Sequence, residues 1–195
     1  MKCLPIVCCL LTPFLCPAQG KLTITFDGPP LQPPGSRFNV QSYFESGVYF
    51  HPLAGTDGFG RSWGNQPAGW ADDGTPYILT GAVDSLAFSF PNGFLFGVSS
   101  VDLAAFSTGF TNYTVSFVGY RSDGSTTTTT LSGTGVDFQT YYFGPDWSSG
   151  LARVEIPNYG WSLDNLVLSV PEPAAWALLA CGSALTLWRS RRQRP

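Results

Sequence analysis

Two aspartates near the ends of the predicted fold are the first residues whose positions indicate chemistry. Asp27 directly follows an alternating segment, Leu22–Phe26, and Asp164 lies inside another segment, 162–169. Both segments read as β-strands, and the first and last strands of a domain often lie near each other. A buried carboxylate needs a charge partner or a cation, and Ca²⁺ takes oxygen ligands from carboxylates and backbone carbonyls. The alternative is that Asp164 accepts hydrogen bonds from backbone N–H groups while Asp27 lies in a turn.

Two tryptophans in the irregular region 55–76 indicate a second kind of chemistry. Trp63 and Trp70 lie among glycines and near polar residues that include Asp72 and Asp73. A flat indole ring can stack on the C–H groups of a sugar while neighbouring polar groups form hydrogen bonds. The sequence therefore predicts glycan contact at Trp63 and Trp70. The alternative is that both rings close one end of the domain, with Asp72 and Asp73 in a solvated turn.

Several kinds of site are excluded by what the central region 19–170 lacks. All five cysteines lie outside it, at positions 3, 8, 9, 16 and 181, so it has no thiol nucleophile and no cysteine-ligated zinc. Its single histidine, His51, excludes a multi-histidine metal site. No P-loop motif occurs in it. A carboxylate pair for glycoside hydrolysis stays open, because no spacing in the sequence selects one.

The charge of the central region argues against a nucleic-acid partner. The whole chain carries a formal net charge of −3, and charged residues make up 12% of it. Residues 19–170 contain five basic and twelve acidic residues, which gives this region a net charge of −7. A nucleic-acid-binding domain would show a basic patch or stripe instead. An acidic surface is compatible with cations or neutral sugars.

The elements that must position these residues read as short β-strands. Polar and apolar residues alternate in Leu22–Phe26, Tyr113–Phe117 and Arg153–Ile156, which is the period of a half-buried strand. Further strands are predicted near 47–50, 77–80, 84–90, 95–105, 126–131, 137–143 and 162–169. About ten short strands separated by turn residues predict an all-β domain over 19–169, a jelly-roll-like β-sandwich.

Three local patterns refine this prediction. Asp123-Gly124 separates two predicted strands and indicates a hairpin with a two-residue type I′ turn. The threonines at 126–130 favour a strand that faces solvent. In the last strand, a period of two places Asp164 on the same face as Leu166 and Leu168.

The first 18 residues have the composition of a secretory signal peptide. Lys2 precedes an apolar run, Cys3–Leu15, and small residues follow at Cys16 and Ala18. A basic start, an apolar stretch and a small-residue cleavage site are typical of export signals. We expect residues 1–18 to be removed by cleavage after Ala18. The alternative is a buried N-terminal strand or helix.

The C-terminal end combines a Pro-Glu-Pro motif, an apolar run and a basic tail. The motif lies at 170–173, the apolar run at 174–188, and the tail at 189–195 contains Arg189, Arg191, Arg192 and Arg194. At about 1.5 Å per residue, the run forms a helix of about 22 Å, shorter than a hydrocarbon core of about 30 Å. We predict a single C-terminal transmembrane helix with a cytoplasmic tail, by the positive-inside rule. The alternative is a buried helix of a soluble domain.

This C-terminal segment resembles the PEP-CTERM sorting signal of proteins that exosortases process. The matching parts are Pro171, Glu172 and Pro173, the apolar span 177–182 and the arginines of 189–192. The resemblance implies a bacterium with an outer membrane, export through the Sec translocon, removal of the signal peptide by signal peptidase, and temporary retention in the inner membrane. It also implies that an exosortase cuts near the Pro-Glu-Pro motif and releases the body to the cell surface or extracellular matrix.

The central region resembles jelly rolls of the carbohydrate-binding-module type. The resemblance rests on the acidic residue after the first strand, Asp27, and on Leu163–Leu166 in the last strand, which reads Leu-Asp-Asn-Leu. In such domains these positions commonly hold a structural calcium ion. We therefore hypothesise that Asp27 and Asp164 share one Ca²⁺.

Three functions are compatible with these patterns. The favoured one is a non-enzymatic, exported cell-surface or matrix protein with a structural or adhesive role and weak binding to polysaccharide. The second is a secreted carbohydrate-active enzyme whose carboxylate pair is not evident in the sequence. The third is a purely structural matrix protein. A cleft with two carboxylates about 5–9.5 Å apart favours the enzyme, and a shallow face with exposed tryptophans favours the binding module.

Overall fold

The computed structural model describes residues 19–53, 58–81 and 84–171, and Gly20–Pro171 form one compact unit. The predicted signal peptide (1–18), transmembrane helix (174–188) and basic tail (189–195) lie outside the described residues. Of the predicted sorting motif, only Val170 and Pro171 are described. In the described part of the chain, no helix has the length and apolar character needed to cross a membrane.

The described residues form thirteen strands and one short 3₁₀ turn, Pro145–Trp147. The strands are β1 (Gln19–Ile24), β2 (Arg37–Val40), β3 (Tyr43–Glu45), β4 (Val48–His51), β5 (Phe59–Trp63), β6 (Pro76–Leu79), β7 (Leu86–Ser89), β8 (Gly97–Ala105), β9 (Asn112–Arg121), β10 (Thr126–Thr134), β11 (Gln139–Tyr142), β12 (Leu151–Ile156) and β13 (Trp161–Pro171). In β9, buried residues alternate with less buried ones, as expected for a strand with one face on a core.

The strands form two antiparallel sheets. Sheet A has seven strands in the order β11–β8–β13–β6–β5–β2, with β1 also paired to β13. Sheet B has six strands in the order β10–β9–β12–β7–β4–β3. The first and last strands are therefore direct neighbours, as the sequence predicted. The predicted all-β sandwich is confirmed.

The inner surfaces of the two sheets pack around one apolar core. Sheet A contributes residues such as Leu103 and Leu163, and sheet B contributes Phe50 and Phe88, all 0% exposed. The rings of Phe50 and Phe88 have centroids 5.6 Å apart. Burial of one such side chain is worth about 1.5–3 kcal/mol. The core therefore holds the two sheets together.

One strand lies where the sequence predicted only irregular structure. β5 falls inside the region 55–76, and all five of its residues are buried. A strand buried on both faces lacks the alternation that marks a half-buried strand, and Gly60 weakens the strand signal further. The strands β2, with four residues, and β3, with three, are also absent from the prediction.

The hairpin predicted at Asp123-Gly124 is confirmed, but its turn type is different. A hydrogen bond from Arg121 N to Ser125 O (2.9 Å) closes a loop in which Gly124 N donates to Arg121 O (3.1 Å). Gly124 has a φ of +84°, whereas Asp123 does not have a positive φ. A longer loop with one left-handed glycine replaces the type I′ turn, which needs a positive φ at both central residues.

A bulge in β13 reverses the predicted orientation of Asp164. Asn165 has a φ of +46°, and the register with β8 shifts between Asp164 and Val167. Leu166 and Leu168 lie in the core, while Asp164 faces outward from sheet A and contacts the side chain of Thr75. The prediction that Asp164 shares a face with these leucines is wrong, because the bulge interrupts the period of two.

Candidate functional site

The outer surface of sheet B carries a row of side chains from five neighbouring strands. Residues directly opposite each other in an antiparallel sheet point to the same face. The register from β3 to β9 runs in turn through Phe44, Tyr49, Ser89, Arg153 and Tyr120. The next row places His51 and Glu155 opposite the same residue of β7, Ala87. We call this surface the open face and define it by Phe44, Tyr49, His51, Tyr120, Arg153 and Glu155.

Two exposed aromatic rings lie at one end of the open face. Phe44 is 55% exposed and Tyr49 is 37% exposed. Tyr49 and His51 point outward from β4 because residues i and i+2 of a strand share a face, while Phe50 between them fills the core. The rings of His51 and Tyr49 stack, with centroids 5.4 Å apart and planes 26° apart. The stack favours one orientation of the Tyr49 ring and leaves the ring at the surface.

A hydrogen-bonded ion pair lies two strands away from Tyr49. Arg153 Nη2 is 2.9 Å from Glu155 Oε1, and the Tyr120 hydroxyl donates to Glu155 Oε2 at 2.8 Å. The Arg153 guanidinium also lies 4.4 Å from the centroid of the Tyr120 ring. The hydrogen bond to Glu155 raises the pKa of the Tyr120 hydroxyl above its ordinary value. With strands about 4.8 Å apart, the backbone of Arg153 lies about 10 Å from that of Tyr49.

Hydroxyl groups extend the same surface beyond Tyr120. Thr114 Oγ1 is 3.1 Å from Ser132 Oγ, and Ser116 Oγ is 3.2 Å from Thr130 Oγ1. The threonines of β10 alternate between exposed and half-buried positions, so the prediction of a solvent-facing strand is confirmed. Each hydroxyl both donates and accepts hydrogen bonds. This part of the surface is therefore uncharged and rich in hydrogen-bonding groups.

The open face combines the two kinds of group that neutral sugars require. The exposed rings offer flat apolar surfaces for C–H groups. The Arg153–Glu155 pair and the Tyr120 hydroxyl offer fixed donors and acceptors for sugar hydroxyls. Because Arg153 and Glu155 carry opposite charges, this pair has no net charge that would select an ionic ligand. The arrangement is suited to binding a polysaccharide along a flat surface.

The outer surface of sheet A is different, because the segment 64–75 packs across it. Its apolar residues form a second, smaller cluster of Ala71, Tyr77, Leu79 and Ala104, with Phe106 and Phe138 packed against it. Tyr77 is 1% exposed, and its hydroxyl donates to the carbonyl of Ala71. Burial raises the pKa of Tyr77 to about 12. We call this surface the covered face and define it by these six residues together with Trp70 and Asp164.

The two predicted glycan-contact residues lie in packed positions on different elements. Trp63 ends β5 and is 6% exposed, and the Arg61 guanidinium lies 4.6 Å from its ring centroid. Trp70 is half-buried: the Arg37 guanidinium lies 3.8 Å over its ring, and the Phe106 ring meets it edge-on at 4.9 Å. A ring must be exposed to stack on a sugar. Both placements favour the packing alternative over glycan contact.

Asp164 takes part in a chain of hydrogen bonds between two carboxyl groups. Thr75 Oγ1 is 3.0 Å from Asp164 Oδ2 and 2.6 Å from Asp73 Oδ1. A hydroxyl donates only one proton, so the second contact needs a proton on a carboxyl group. Asp164 is 0% exposed, and burial raises its pKa to about 8, with the nearby Asp73 carboxylate adding to the rise. The raised pKa favours the neutral form of the Asp164 carboxyl group at neutral pH, and the Thr75 hydroxyl lies within hydrogen-bonding distance of both carboxyl groups.

Asn165 connects Asp164 to a third carboxylate on β8. The backbone N–H of Asn165 donates to Asp164 Oδ1 at 2.7 Å, and its side-chain Nδ2 donates to Asp102 Oδ2 at 2.9 Å. Thr140 Oγ1 donates to the other oxygen of Asp102 at 2.6 Å. Asparagine tolerates the left-handed conformation that allows both contacts. The carboxyl oxygens of buried Asp164 and half-buried Asp102 thus have partners within the protein, as expected of polar groups that support a fold.

The predicted calcium ligands, Asp27 and Asp164, have different surroundings. Asp27 is exposed and follows β1, and the buried Arg61 binds the backbone carbonyls on either side of it, those of Phe26 and Gly28. Asp164 is buried beneath the segment 64–75. Within 19–53, 58–81 and 84–171, no group of three or more His, Cys, Asp or Glu side chains could hold a metal. The calcium ion stays a prediction.

The residues predicted for sorting lie at or beyond the end of the described chain. Pro171 is exposed and is the last residue of β13. Glu172, Pro173 and the arginines at 189, 191, 192 and 194 lie outside the described residues. Cleavage at this motif and its recognition by an exosortase stay predictions.

Comparisons with known proteins give distant structural likenesses. Neither a protein-family model nor a curated protein matches the chain. Similar solved structures include the Podospora anserina GH26-CBM35 β-(1,4)-mannanase, with 13% identity and a TM-score of 0.34 over 66% of this chain and 28% of that chain. They also include the CBM22-1–GH10 modules of Clostridium thermocellum xylanase 10B in complex with xylohexaose, with 11% identity and a TM-score of 0.35 over 77% of this chain and 28% of that chain. At these TM-scores neither likeness carries an argument about this protein.

The residues of the open face are absent from the sequence-based predictions. A signal for them exists in β4, where Tyr49 and His51 alternate with the buried Val48 and Phe50. The solvent side of an alternating strand normally carries polar residues, so two aromatic side chains there mark a surface with another role. The pairing that brings Arg153 beside this strand depends on the sheet order, which no local pattern reveals.

Proposed function

We propose that this protein is an exported, non-enzymatic component of the cell surface or extracellular matrix that binds neutral polysaccharide through its open face. The observation that carries the proposal is the presence of exposed Phe44 and Tyr49 in line with the paired side chains of Arg153 and Glu155. Aromatic surface and fixed hydrogen-bonding groups on one flat sheet are what recognition of a sugar chain requires.

The export and sorting part of the proposal rests on the order of the sequence segments. A signal peptide, the Pro-Glu-Pro motif, an apolar run and a basic tail follow one another along the chain. In a host with an exosortase, we expect the full chain to be released without residues 174–195, and Glu172→Ala to leave it in the membrane. Mass spectrometry of the released protein is the measurement. A secreted form that still carries residues 174–195 would overturn the sorting proposal.

The glycan-binding part is tested on the purified full chain. Binding to a panel of neutral polysaccharides is compared by affinity electrophoresis, with an acidic polysaccharide alongside. Tyr49→Ala is expected to weaken binding roughly tenfold, which corresponds to about 1.4 kcal/mol. The matched control is Tyr142→Ala, because Tyr142 is 79% exposed but lies on β11 of sheet A. Absence of binding, or an equal loss in both variants, would favour a purely structural matrix protein.

A jelly-roll arrangement with one structural calcium ion belongs to the same proposal. Buried Asp164 is the ligand that favours a calcium ion here, because a bound cation can neutralise its carboxylate in place of a proton. We expect millimolar calcium to raise the melting temperature of the wild-type chain above its value in EGTA, and to leave Asp164→Asn unchanged. Identical melts of the wild type in both solutions would remove calcium from the proposal.

A further inference from the structure

Apart from β1, which pairs with β13 beside the main strand order of sheet A, four strands lie at the ends of the two strand orders, and they differ sharply in length. Sheet A ends in β11 and β2, with four residues each, and sheet B ends in β3, with three residues, and β10, with nine. An end strand exposes unpaired backbone N–H and C=O groups, and proteins commonly limit this by keeping such strands short. Three of the four ends follow that rule, and β10 does not.

The composition of β10 also lacks the usual protection of an end strand. Charged side chains and prolines discourage pairing with another chain, and Thr126–Thr134 contains neither. Its five consecutive threonines have a high preference for strands. In the described part of the chain, β9 is the strand that pairs with it, through nine residue pairs from Thr126↔Tyr120 to Thr134↔Asn112. The other edge of the threonine run is available for a second strand.

The C-terminal half of β10, around Ser132 and Gly133, is covered by Tyr141 from β11 of sheet A. The Tyr141 hydroxyl donates to the carbonyl of Ser132 at 3.0 Å. The hydroxyls of Tyr113 and Tyr141 also lie where a Cβ on Gly133 would be, at 2.3 Å. This covering limits the accessible edge to the N-terminal half of β10, which is the run Thr126–Thr130.

We propose that two copies of this chain join edge to edge through Thr126–Thr130, antiparallel and centred on Thr128. In this register Thr126 lies opposite the partner's Thr130, and the two Thr128 residues lie opposite each other. A run of one residue type is self-complementary, so each cross-strand pair is threonine with threonine, a favourable pair in sheets. The contact is isologous, which is the usual form of a two-fold dimer.

The contacts between β9 and β10 show that hydroxyl side chains on neighbouring strands of this sheet can form hydrogen bonds with each other. Thr130 and Ser132 already form side-chain hydrogen bonds with Ser116 and Thr114 across the neighbouring strand. Joined copies share one continuous sheet with twice the six strands of sheet B. Their two open faces then lie side by side on that sheet, and a polysaccharide that contacts both gains avidity. The dimer does not depend on glycan binding, because it uses the edge of the sheet and not its face.

Sedimentation velocity of the full chain in mild detergent, over a range of concentrations, tests the dimer. The wild type is expected to show a reversible monomer–dimer equilibrium. Thr128→Lys places two like charges opposite each other at the two-fold position and is expected to weaken dimerisation roughly tenfold or more. Thr128→Glu has the same effect alone, and an equal mixture of the two variants restores a dimer, because opposite charges then meet.

The matched control is Thr114→Lys, which adds the same charge to the same face one strand away from the edge. It is expected to dimerise like the wild type and to have the same melting temperature as Thr128→Lys. A wild-type chain that stays monomeric would overturn the proposal. A dimer that survives Thr128→Lys, or is lost equally in Thr114→Lys, would place the contact elsewhere and overturn it as well.

Discussion

The two outer surfaces of the sandwich place similar residue types in opposite environments. On the covered face, Tyr77 is 1% exposed and the carboxyl group of Asp164 is 0% exposed. On the open face, Tyr49 is 37% exposed and the carboxylate of Glu155 pairs with Arg153 near the surface. The segment 64–75 accounts for the burial on sheet A, because Ala71 and Thr75 contact the sheet from above. The comparison teaches that packing partners, and not residue type, decide whether an aromatic or acidic side chain supports the fold or is available to a ligand.

The largest difference between the faces is expected for tyrosine truncation. Tyr77→Ala removes a buried ring that packs on Phe138 with centroids 5.3 Å apart, and is expected to lower the free energy of unfolding by about 3–5 kcal/mol. Tyr49→Ala removes an exposed ring and is expected to change it by no more than about 0.5 kcal/mol. Urea denaturation of the two variants and the wild type is the measurement.

A conservative variant separates the ring of Tyr77 from its hydroxyl. Tyr77→Phe keeps the packing and removes the donor to the Ala71 carbonyl, so it is expected to cost about 0.5–1.5 kcal/mol. The contrast between covered and open faces would be wrong if Tyr77→Ala and Tyr49→Ala changed the free energy of unfolding equally.

The sequence predicted the sandwich because most strands show a local signal. Alternation marked the segment Tyr113–Phe117 inside β9, and a turn dipeptide marked the hairpin at Asp123-Gly124. β5 escaped detection because all five of its residues are buried, so buried and exposed residues do not alternate along it. Asp164 was placed on the wrong face because the positive φ of Asn165 has no reliable sequence signal.

The candidate site escaped prediction for a different reason. Tryptophans attract attention as sugar-stacking residues, yet Trp63 and Trp70 contact the guanidinium groups of Arg61 and Arg37 within the fold. The open face is assembled from strands distant in sequence, since Tyr49 and Arg153 meet only through their common neighbour Ser89 on β7. Long-range strand order is not encoded in any short pattern, so the site could be found only after the sheets were known.

The second expected difference between the faces is a dependence of stability on pH that comes from Asp164. Burial raises its pKa from the ordinary value of 3.8 to about 8, so the folded chain keeps a proton that the unfolded chain releases. Its contribution to stability is fully present below about pH 4 and is lost as the pH rises through about 8. In EGTA, Asp164→Asn is expected to be more stable than the wild type at pH 9, by a few kcal/mol at most, and to lose that advantage at pH 4.

An exposed aspartate provides the control for this pH profile. Asp137→Asn removes a carboxylate on the surface and is expected to leave the difference between pH 4 and pH 9 unchanged. Thermal unfolding of the wild type and both variants across this pH range is the measurement. A wild type whose stability rises steadily from pH 4 to pH 9, with no gain from Asp164→Asn, would show that the Asp164 carboxyl group is ionised in the folded chain.

The smallest expected effect on stability is that of Arg153→Ala on the open face. This variant tests most directly whether the open face, unlike the covered face, serves binding and not the fold. The side chain of Arg153 is 45% exposed and its pair with Glu155 is partly solvated, and such pairs contribute about 0–1 kcal/mol to stability. Arg153→Ala is therefore expected to change the free energy of unfolding by less than about 1 kcal/mol, yet to weaken polysaccharide binding several-fold. Arg121→Ala is the matched control, because Arg121 donates to the backbone carbonyls of Ser149 and Asp146 and is expected to affect stability without affecting binding. If Arg153→Ala destabilises the chain as much as Arg121→Ala does and leaves binding intact, the open face serves the fold as the covered face does.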